Sequence, residues 1–327
     1  MPLAVLHSPG QWTARFGAGP RKTVLAVGNF DGIHLGHQKI LRGVVERARA
    51  TSAVAAAVTF DPHPLKLLRP ADAPPLIATL AQHLAGLEQL GIDAALVLRF
   101  DRELSQLSPE EFVRSILVEK LGLRAILVGE SFRFGHQQAG DVRLLAEFGR
   151  RFGFEVEIVP PVVVRSEVVS STAIRRAVQE GRVERAARLL GRPFVLTGEI
   201  RPGTGRGSQA VFPTLNLAPE QELRPAMGVY ATETRVAGRL YRSATNVGVR
   251  PTFDGHGLTV ESHLFDFAEK MTAGPMEVHF WKRLREERKF SGPEALRAQI
   301  AKDLTRARRF FQRLDRAQAR REQIPRA

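Results

Sequence analysis

The sequence predicts an α/β fold in two parts, a parallel sheet with flanking helices followed by a β-barrel that ends in an α-helix. In the first half, short apolar runs typical of buried strands alternate with segments of helical periodicity. After Gly191 the pattern changes to short strands separated by turns, which is typical of a barrel. A length of 327 residues also exceeds that of most single domains. We therefore predict two domains, residues 1–184 and 185–327.

The composition excludes several classes of site. Because the chain has no cysteine, disulfides, thiol nucleophiles and thiolate metal sites are excluded, and a bound metal would need oxygen or imidazole ligands. No window of 18 residues is apolar and uncharged, and the first 12 residues lack the apolar core of a signal peptide. We therefore expect a cytoplasmic protein with no membrane partner.

The net charge of +14 suggests a nucleic-acid partner, because Arg and Lys neutralise phosphates. The distribution argues against this as the main function, since residues 282–327 hold 15 basic and 6 acidic residues and thus +9 of the total. A basic surface also attracts anionic nucleotides. The alternative, a nucleic-acid-binding protein on an old enzyme scaffold, predicts steeply salt-dependent retention without enzymatic turnover.

The junction between a strand and the following helix carries the clearest functional pattern. An apolar run over 23–27 ends at Gly28, and helical periodicity begins after Gly36. The first turn of a helix has unpaired N–H groups that bind an anion, and glycines let a phosphate approach closely. His34 and His37 share a face of that turn, where both can donate to phosphate oxygens. This combination predicts a nucleotide-phosphate site, although either histidine alone would be unremarkable.

Further strands and helices alternate through the first half. Apolar runs over 53–60, 94–100 and 125–128 predict strands, 80–90 has helical periodicity, and Ser-Pro-Glu-Glu at 108–111 begins another helix. Strands that alternate with helices in this way predict a parallel sheet.

Two more candidate loops follow the predicted strands. One contains Phe-Asp-Pro-His-Pro at 60–64, and the other covers 129–135. Because ligands of parallel sheets bind beyond the carboxyl ends of the strands, we expect both loops to flank the nucleotide site. In the second loop, Phe132 and Phe134 can stack on a flat ring, with packing in the core as the alternative.

Hydroxyl residues precede another predicted helix. Ser170, Ser171 and Thr172 are placed to cap its first turn, and Arg175 lies close behind them. These residues predict a second anion site. The alternative is an ordinary helix cap with solvated arginines.

The second half contains three polar patterns. Gly198 and Gly205 belong to a glycine-rich stretch that either wraps phosphates or forms a flexible connection. Thr214 and Asn216 lie on one face of an extended segment, where their oxygens can ligate Mg²⁺. Glu261 lies in a β-favouring run and is either part of a solvated strand face or a base beside a substrate hydroxyl.

The chain ends in a predicted amphipathic helix that begins at Pro293 and should pack on the barrel. Its apolar stripe consists of Leu296, Ile300, Leu304, Ala307, Phe311 and Leu314. Beyond Arg316 the composition is charged, and we expect the helix to fray there.

The first half resembles the adenylyltransferase half of the prokaryotic bifunctional riboflavin kinase/FAD synthetase family. The matching segments are 28–37, 60–64, 129–135 and 170–175. The resemblance implies a Rossmann-like nucleotidyltransferase domain, in which the FMN phosphate attacks the α-phosphorus of ATP and pyrophosphate leaves without a covalent enzyme intermediate. It implies that His34, His37 and Arg175 are catalytic.

The second half resembles the riboflavin kinase module of the same family. The matching segments are 212–216, 228–231, 246–253 and 260–267. The resemblance implies that Thr214 and Asn216 bind Mg²⁺ and nucleotide. It also implies that Glu261 activates the flavin 5′-hydroxyl for attack on the γ-phosphorus of ATP.

Carried over position by position, the resemblance implies two more sets of contacts. Nucleotide contacts come from Gly28, Phe30, Asp31, Gly36, Ser170, Ser171, Thr172, Gly198 and Gly205. Flavin contacts come from Ser131, Phe132, Phe134, Asn246 and Arg250. The expected small molecules are riboflavin, FMN, FAD and ATP with Mg²⁺, and the sequence indicates no oligomeric state.

One departure from the family pattern supports an alternative. Ser131 stands where the family usually has Asp or Asn. The alternative is a monofunctional riboflavin kinase whose first domain binds nucleotide or flavin without catalysis, and it predicts no release of pyrophosphate.

Overall fold

The computed structural model describes residues 2–17, 22–202, 213–252, 255–269 and 271–322. The chain divides into two compact units, Met1–Ser171 and Thr172–Ala327. Each unit has its own sheet and its own apolar core. Over the described ranges, none of the helices combines the length and the apolar character needed to cross a bilayer.

The first unit alternates strands with helices. Its strands are β1 (Ala4–Leu6), β2 (Thr23–Val27), β3 (Val54–Asp61), β4 (Ala94–Arg99), β5 (Leu123–Gly129), β6 (Glu155–Val159), β7 (Val163–Val164) and β8 (Glu167–Val168). Its helices are α1 (Pro9–Phe16), α2 (Leu35–Ala50), α3 (Pro64–Leu68), α4 (Leu80–Gln89), α5 (Arg102–Gln106), α6 (Pro109–Glu111) and α7 (Val142–Phe152). A π-helical stretch, Phe112–Lys120, continues α6, and 3₁₀ turns lie at Pro70–Asp72 and His136–Gln138.

Six parallel strands form the main sheet, in the order β1-β4-β3-β2-β5-β6. The predicted parallel α/β architecture is therefore confirmed. All five residues of β2 are buried, because helices cover both faces of a parallel sheet and its central strands are apolar throughout. Leu25 packs in the core on one face, while Val24 and Ala26 pack in the core on the other.

The second unit is a barrel with helices. Its strands are β9 (Phe194–Arg201), β10 (Leu215–Pro219), β11 (Gly228–Val236), β12 (Arg239–Thr252), β13 (Gly255–Leu264) and β14 (Pro275–Glu286). Its helices are α8 (Ser171–Gln179), whose first residue still belongs to the first unit, α9 (Val183–Leu190) and α10 (Pro293–Glu322). The strands form a closed antiparallel barrel in the order β10-β13-β12-β11-β14-β9, which confirms the predicted barrel.

The boundary between the units differs from the expected position. The predicted boundary at 184/185 falls inside α9, whereas the compact units divide at Ser171/Thr172. The two helices belong with the barrel because α9 packs on β9 and β14, and the Ala226 N–H donates to the Val178 carbonyl at the end of α8.

Helix α10 packs on the barrel as predicted, against β11, β12 and β14. Ala307 and Phe311 are buried there, but Leu296 is 41% exposed and lies outside the buried part of the stripe. The prediction of fraying beyond Arg316 was wrong, since the helix continues to Glu322. Ala, Gln, Arg and Glu dominate this last segment, and all have high helix propensity.

The position of Gly198 also differs from the expectation. It lies within β9 rather than in a loop, and a Cβ at this position would lie 2.0 Å from the Ala218 carbonyl oxygen of the neighbouring strand β10. The close approach of the two backbones therefore explains this glycine. Gly205, the other predicted phosphate-loop glycine, lies outside the described residues.

The barrel interior contains a row of buried hydroxyl groups. They belong to Thr232, Thr234, Ser243, Thr245 and Ser262, and each of these residues is fully buried. Hydrogen bonds of 2.6 to 2.8 Å join them into one chain, in which Thr245 connects Thr232 to Ser262. These hydroxyls satisfy one another, which is the condition for burying polar groups at low cost.

We predict that Thr245→Val destabilises the barrel by about 1–3 kcal/mol, because it keeps the shape of the side chain but deprives Ser262 and Thr232 of a hydrogen-bond partner. Urea unfolding in a Trp12→Phe background measures this effect. The chain has two tryptophans, so Trp281 fluorescence then reports the barrel. Thr305→Val on the exposed face of α10 is the control, with an expected change below about 0.5 kcal/mol. Equal midpoints for the two variants would contradict the prediction.

Candidate functional site

Three predicted loops meet at one edge of the sheet. Strand β2 lies between β3 and β5, so the loops that follow these parallel strands emerge side by side. The Asn29 side-chain amide lies 3.1 Å from His63 Nε2 in the loop after β3. The Ser171 hydroxyl donates to the Asp31 carbonyl oxygen at 3.1 Å, so the last residue of the first unit lies against the same loop.

The loop from Gly28 to His34 has an unusual backbone. Phe30 and Ile33 have φ of 45° and 40°, although side chains disfavour this region, and Gly32 has φ of 79°. Gly32 also packs closely, because a Cβ there would lie 2.8 Å from Ile77 Cγ2. Such strained conformations persist only where surrounding contacts fix them, and they concentrate at functional sites.

His34 is the N-cap of α2. Its Nδ1 accepts a hydrogen bond of 3.2 Å from the His37 N–H, so the neutral ring carries its proton on Nε2. The ring therefore presents an N–H donor on the side away from the helix. Gly36 makes room for this ring, since a Cβ there would lie 3.1 Å from His34 Cε1.

His37 stacks on His34, as two histidines on one face of the first turn predict. The ring centroids are 3.6 Å apart and the ring planes differ by 17°. Burial lowers the pKa of His37 well below its usual value, and the neighbouring His34 and His83 lower it further. His37 is therefore neutral at pH 7, and a neutral ring can stack on His34 without charge repulsion.

Asp31 anchors the loop. Its carboxylate accepts hydrogen bonds of 3.0 to 3.1 Å from the backbone N–H groups of Ile77 and Ala78, just before α4. The side chain is 7% exposed. The carboxylate of this predicted nucleotide contact therefore holds the loop after β2 against the segment before α4.

The loop after β5 is held by its own hydrogen bonds. Phe134 and Gly140 exchange two backbone hydrogen bonds of 2.9 and 3.1 Å, and Phe132 stacks on Phe134 at 5.4 Å. Phe134 is 6% exposed and packs in the core, so it supports the loop, whereas Phe132 is only partly buried. Ser131 is exposed at the tip of the turn.

In the barrel, strand register aligns three predicted site residues. Glu261 on β13 is paired with Asn216 on β10 and with Asn246 on β12. All three side chains are half-buried, whereas the residues that flank them in each strand are buried in the interior. Because side chains alternate along a strand, Asn216, Glu261 and Asn246 form one row on the outer face of the barrel. We call these three residues the polar row.

Thr214 is exposed and precedes β10 by one residue. The ring of His263, two residues after Glu261 on the same face, donates from Nδ1 to the Pro213 carbonyl oxygen at 2.9 Å. This hydrogen bond holds the segment with Thr214 beside β13. The side chain of Arg250 lies outside the described residues, so its predicted flavin contact stays a prediction.

Sequence reasoning missed two residues beside these sites. His83 on α4 lies against Phe30 with ring centroids 6.2 Å apart, and is 7% exposed. Glu287 lies beside the polar row, since a Cβ at Gly248 would be 2.5 Å from its Oε1 and 3.1 Å from Asn246 Nδ2. Neither residue belongs to a local pattern, so the sequence offered no signal for them.

Two family models match the chain. The FAD synthetase model matches residues 18–173, and the riboflavin kinase model matches residues 190–311. The first range contains the loops that follow β2, β3 and β5, and the second contains the polar row.

Curated relatives match across both halves. The chain is 35% identical over 289 residues to the bifunctional riboflavin kinase/FMN adenylyltransferase of Escherichia coli (strain K12), which covers 88% of this chain and 92% of the relative. The enzyme of the same description from Pseudomonas fluorescens is 38% identical over 289 residues, with 88% and 93% covered.

A solved structure described as a macrolide-efflux protein from Streptococcus pneumoniae has the same fold. Its TM-score is 0.83 at 28% sequence identity, over 94% of this chain and 99% of that one. The resemblance found in the sequence is thus confirmed in both halves, and the chain belongs to the family of bifunctional riboflavin kinase/FMN adenylyltransferases.

Proposed function

We propose that this chain phosphorylates riboflavin to FMN in the barrel unit and adenylylates FMN to FAD in the sheet unit, with ATP as the second substrate of both reactions. The observation that carries the proposal is the convergence of polar groups in each unit. The stacked pair His34 and His37 lies at a helix N-terminus, and Glu261 lies in the polar row. Small-molecule substrates of this kind fit a cytoplasmic enzyme.

In adenylyl transfer, an oxygen of the FMN phosphate bonds to the α-phosphorus of ATP. The bond from that phosphorus to the oxygen leading to the β-phosphate breaks, and pyrophosphate leaves. Charge grows on the phosphate oxygens, and the Nε2–H of His34 is oriented to stabilise it. His37 and the N–H groups at the start of α2 supply further hydrogen-bond donors. We carry over Arg175, Ser170, Ser171 and Thr172 from the family pattern as further phosphate contacts.

In the kinase reaction, Glu261 takes the proton from the riboflavin 5′-hydroxyl. The hydroxyl oxygen bonds to the γ-phosphorus of ATP, the bond from that phosphorus to the bridging oxygen breaks, and ADP leaves. Phosphoryl transfer depends mainly on positioning and charge neutralisation. Asn246 is paired with Glu261 across the strands and can orient the flavin.

Thr214 and Asn216 fit Mg²⁺. Both offer uncharged oxygens at an accessible position, and the register places Asn216 next to the carboxylate of Glu261. Mg²⁺ prefers oxygen ligands and usually binds through few protein groups together with substrate phosphates. When bound there, Mg²⁺ would neutralise charge on the ATP phosphates.

A monofunctional kinase remains the second candidate, because Ser131 is exposed where the family usually has Asp or Asn. Incubation with riboflavin, ATP and Mg²⁺, followed by chromatography, distinguishes the two. FMN followed by FAD supports both activities. FMN alone, with added FMN left unchanged, means that the first unit does not adenylylate.

We predict that Glu261→Gln abolishes FMN formation and leaves the conversion of FMN to FAD intact, because the amide cannot accept the hydroxyl proton. Chromatography of each reaction measures this. Glu220→Gln, an exposed carboxylate outside the polar row, is the control and should keep both activities. Loss of both reactions in Glu261→Gln would contradict separate sites.

We predict that His34→Asn slows adenylylation by about 100-fold, because a preorganised donor to the reacting phosphates is lost. Asn is a good N-cap residue, so α2 keeps its first turn. Pyrophosphate release measures the rate, and the kinase activity of the same molecule should stay normal. A near-normal adenylylation rate would remove His34 from the mechanism.

We predict that Asn216→Ala raises the Mg²⁺ concentration for half-maximal kinase activity by at least about 10-fold, since it removes an oxygen ligand. Mg²⁺ titration of FMN formation measures this. Titration of adenylylation in the same variant is the control. An unchanged requirement in the kinase reaction would exclude Asn216 as a ligand.

A further inference from the structure

His83 is a buried histidine whose position the proposed reactions do not explain. It lies on the inner face of α4, and its exposed fraction is 7%. No group in the described part of the chain makes a hydrogen bond to its Nε2, which is enclosed by protein. A buried polar atom without a partner costs about 1–3 kcal/mol, so such atoms call for a reason.

Three contacts fix α4 on the loop that carries His34. The Asp31 carboxylate accepts hydrogen bonds from the backbone just before the helix. Ile77 packs over Gly32, and Ile33 packs so closely on Gly86 that a Cβ there would lie 2.7 Å from Ile33 Cδ1. The helix that carries His83 therefore has a defined position relative to the loop that carries His34.

The rings form a continuous series from the helix start to α4. His34 stacks on His37, the edge of Phe30 contacts His37 at 5.4 Å and 83°, and Phe30 contacts His83 at 6.2 Å and 60°. Phe30 is 2% exposed, so water does not separate it from these rings. Phe30 thus contacts both His37 and His83, and the series runs from His34 at the start of α2 to His83 on α4.

The two catalytic histidines differ in how their tautomers are set. The His37 N–H fixes the tautomer of His34 by donating to its Nδ1. Within the described residues, the enclosed Nδ1 of His37 has no hydrogen-bond partner, so no bond of this kind fixes its ring. His37 Nδ1 and His83 Nε2 are therefore two unpartnered ring nitrogens on rings that both contact Phe30.

We propose that His83 is a positioning residue for adenylyl transfer, whose ring nitrogen partners His37 Nδ1 in the working enzyme and so holds His37 as the Nε2–H tautomer. In this form His37 donates to the ATP phosphates alongside His34. The inference rests on the proposed role of His37 in phosphate binding. It assigns to His83 no contact with substrate.

The charges around His83 agree with this role. The titratable group that acts on His83 is Asp31, and those that act on His37 are His34 and His83. Burial lowers the pKa of His83 to about 4, against a smaller opposite effect of Asp31. Above that pH the ring is neutral, and a neutral ring can offer either a donor or an acceptor to His37.

Two variants separate the nitrogen from the packing. His83→Phe keeps a flat ring under Phe30 but has no nitrogen, whereas His83→Gln keeps a group that donates and accepts. His7→Phe, a histidine at the end of β1 that is outside the site, is the control. The ¹⁵N chemical shifts of the His37 ring report its tautomer directly in the full chain, without any reaction.

We expect His37 to be a single Nε2–H tautomer in the wild type and a mixture in His83→Phe, with the wild-type state largely restored in His83→Gln. The kcat of adenylylation should fall about 10-fold in His83→Phe, less than for loss of a donor itself, with KM for ATP nearly unchanged. Riboflavin kinase activity of the same molecules reports folding of the barrel and should not change.

An unchanged His37 tautomer in His83→Phe would overturn the proposal, and so would equal defects in His83→Phe and His83→Gln, which indicate packing alone. If His83→Phe does not fold, His83→Leu, which also has no ring nitrogen, takes its place: a mixture of His37 tautomers in His83→Leu with a single tautomer in His83→Gln supports the proposal, and the same tautomer state in both variants contradicts it. A changed tautomer with normal adenylylation keeps the His83–His37 coupling and instead removes His37 from the proposed mechanism.

Discussion

The Asp31 carboxylate, held by the backbone of Ile77 and Ala78, is the interaction on which the first site depends. The loop after β2 contains two non-glycine residues with positive φ, a conformation that is unfavourable unless neighbouring contacts enforce it. Asp31 supplies that constraint by joining the loop to α4. The position of the stacked histidines at the start of α2 depends on this constraint, because the loop determines where the helix begins.

In the barrel, the alternation of side chains along each strand positions the site residues. Each strand directs one set of side chains inward and the next outward, so one pairing register decides the content of both faces. Inward, the register brings Thr245 next to Thr232 and Ser262, whose hydroxyls satisfy one another. Outward, the same register aligns Glu261 with Asn216 and Asn246. A slip of one residue would bury the carboxylate and expose the apolar interior.

The sequence alone determined the two-part architecture and most of the polar residues of both sites. Hydrophobic periodicity is a local property, so the strands β2 to β5, helices α2 and α4, and the start of α10 lie close to their predicted positions. The His34 and His37 pair was also predictable, because a strand-to-helix turn and a spacing of three residues are both visible along the chain. The resemblance of the motifs to one enzyme family rests on the same local information.

Only the tertiary structure decided which distant residues meet. Gly198 looked like part of a phosphate loop, yet the approach of the Ala218 carbonyl explains it. For Phe134 the sequence left both ring stacking and core packing open, and the structure places it in the core. His83 gave no signal because nothing near it in the sequence is unusual; it matters through Phe30, which is 53 positions away in the chain. Periodicity and propensity report the path of the backbone, whereas burial, register and hydrogen-bond partners arise from packing between segments that the sequence does not place side by side.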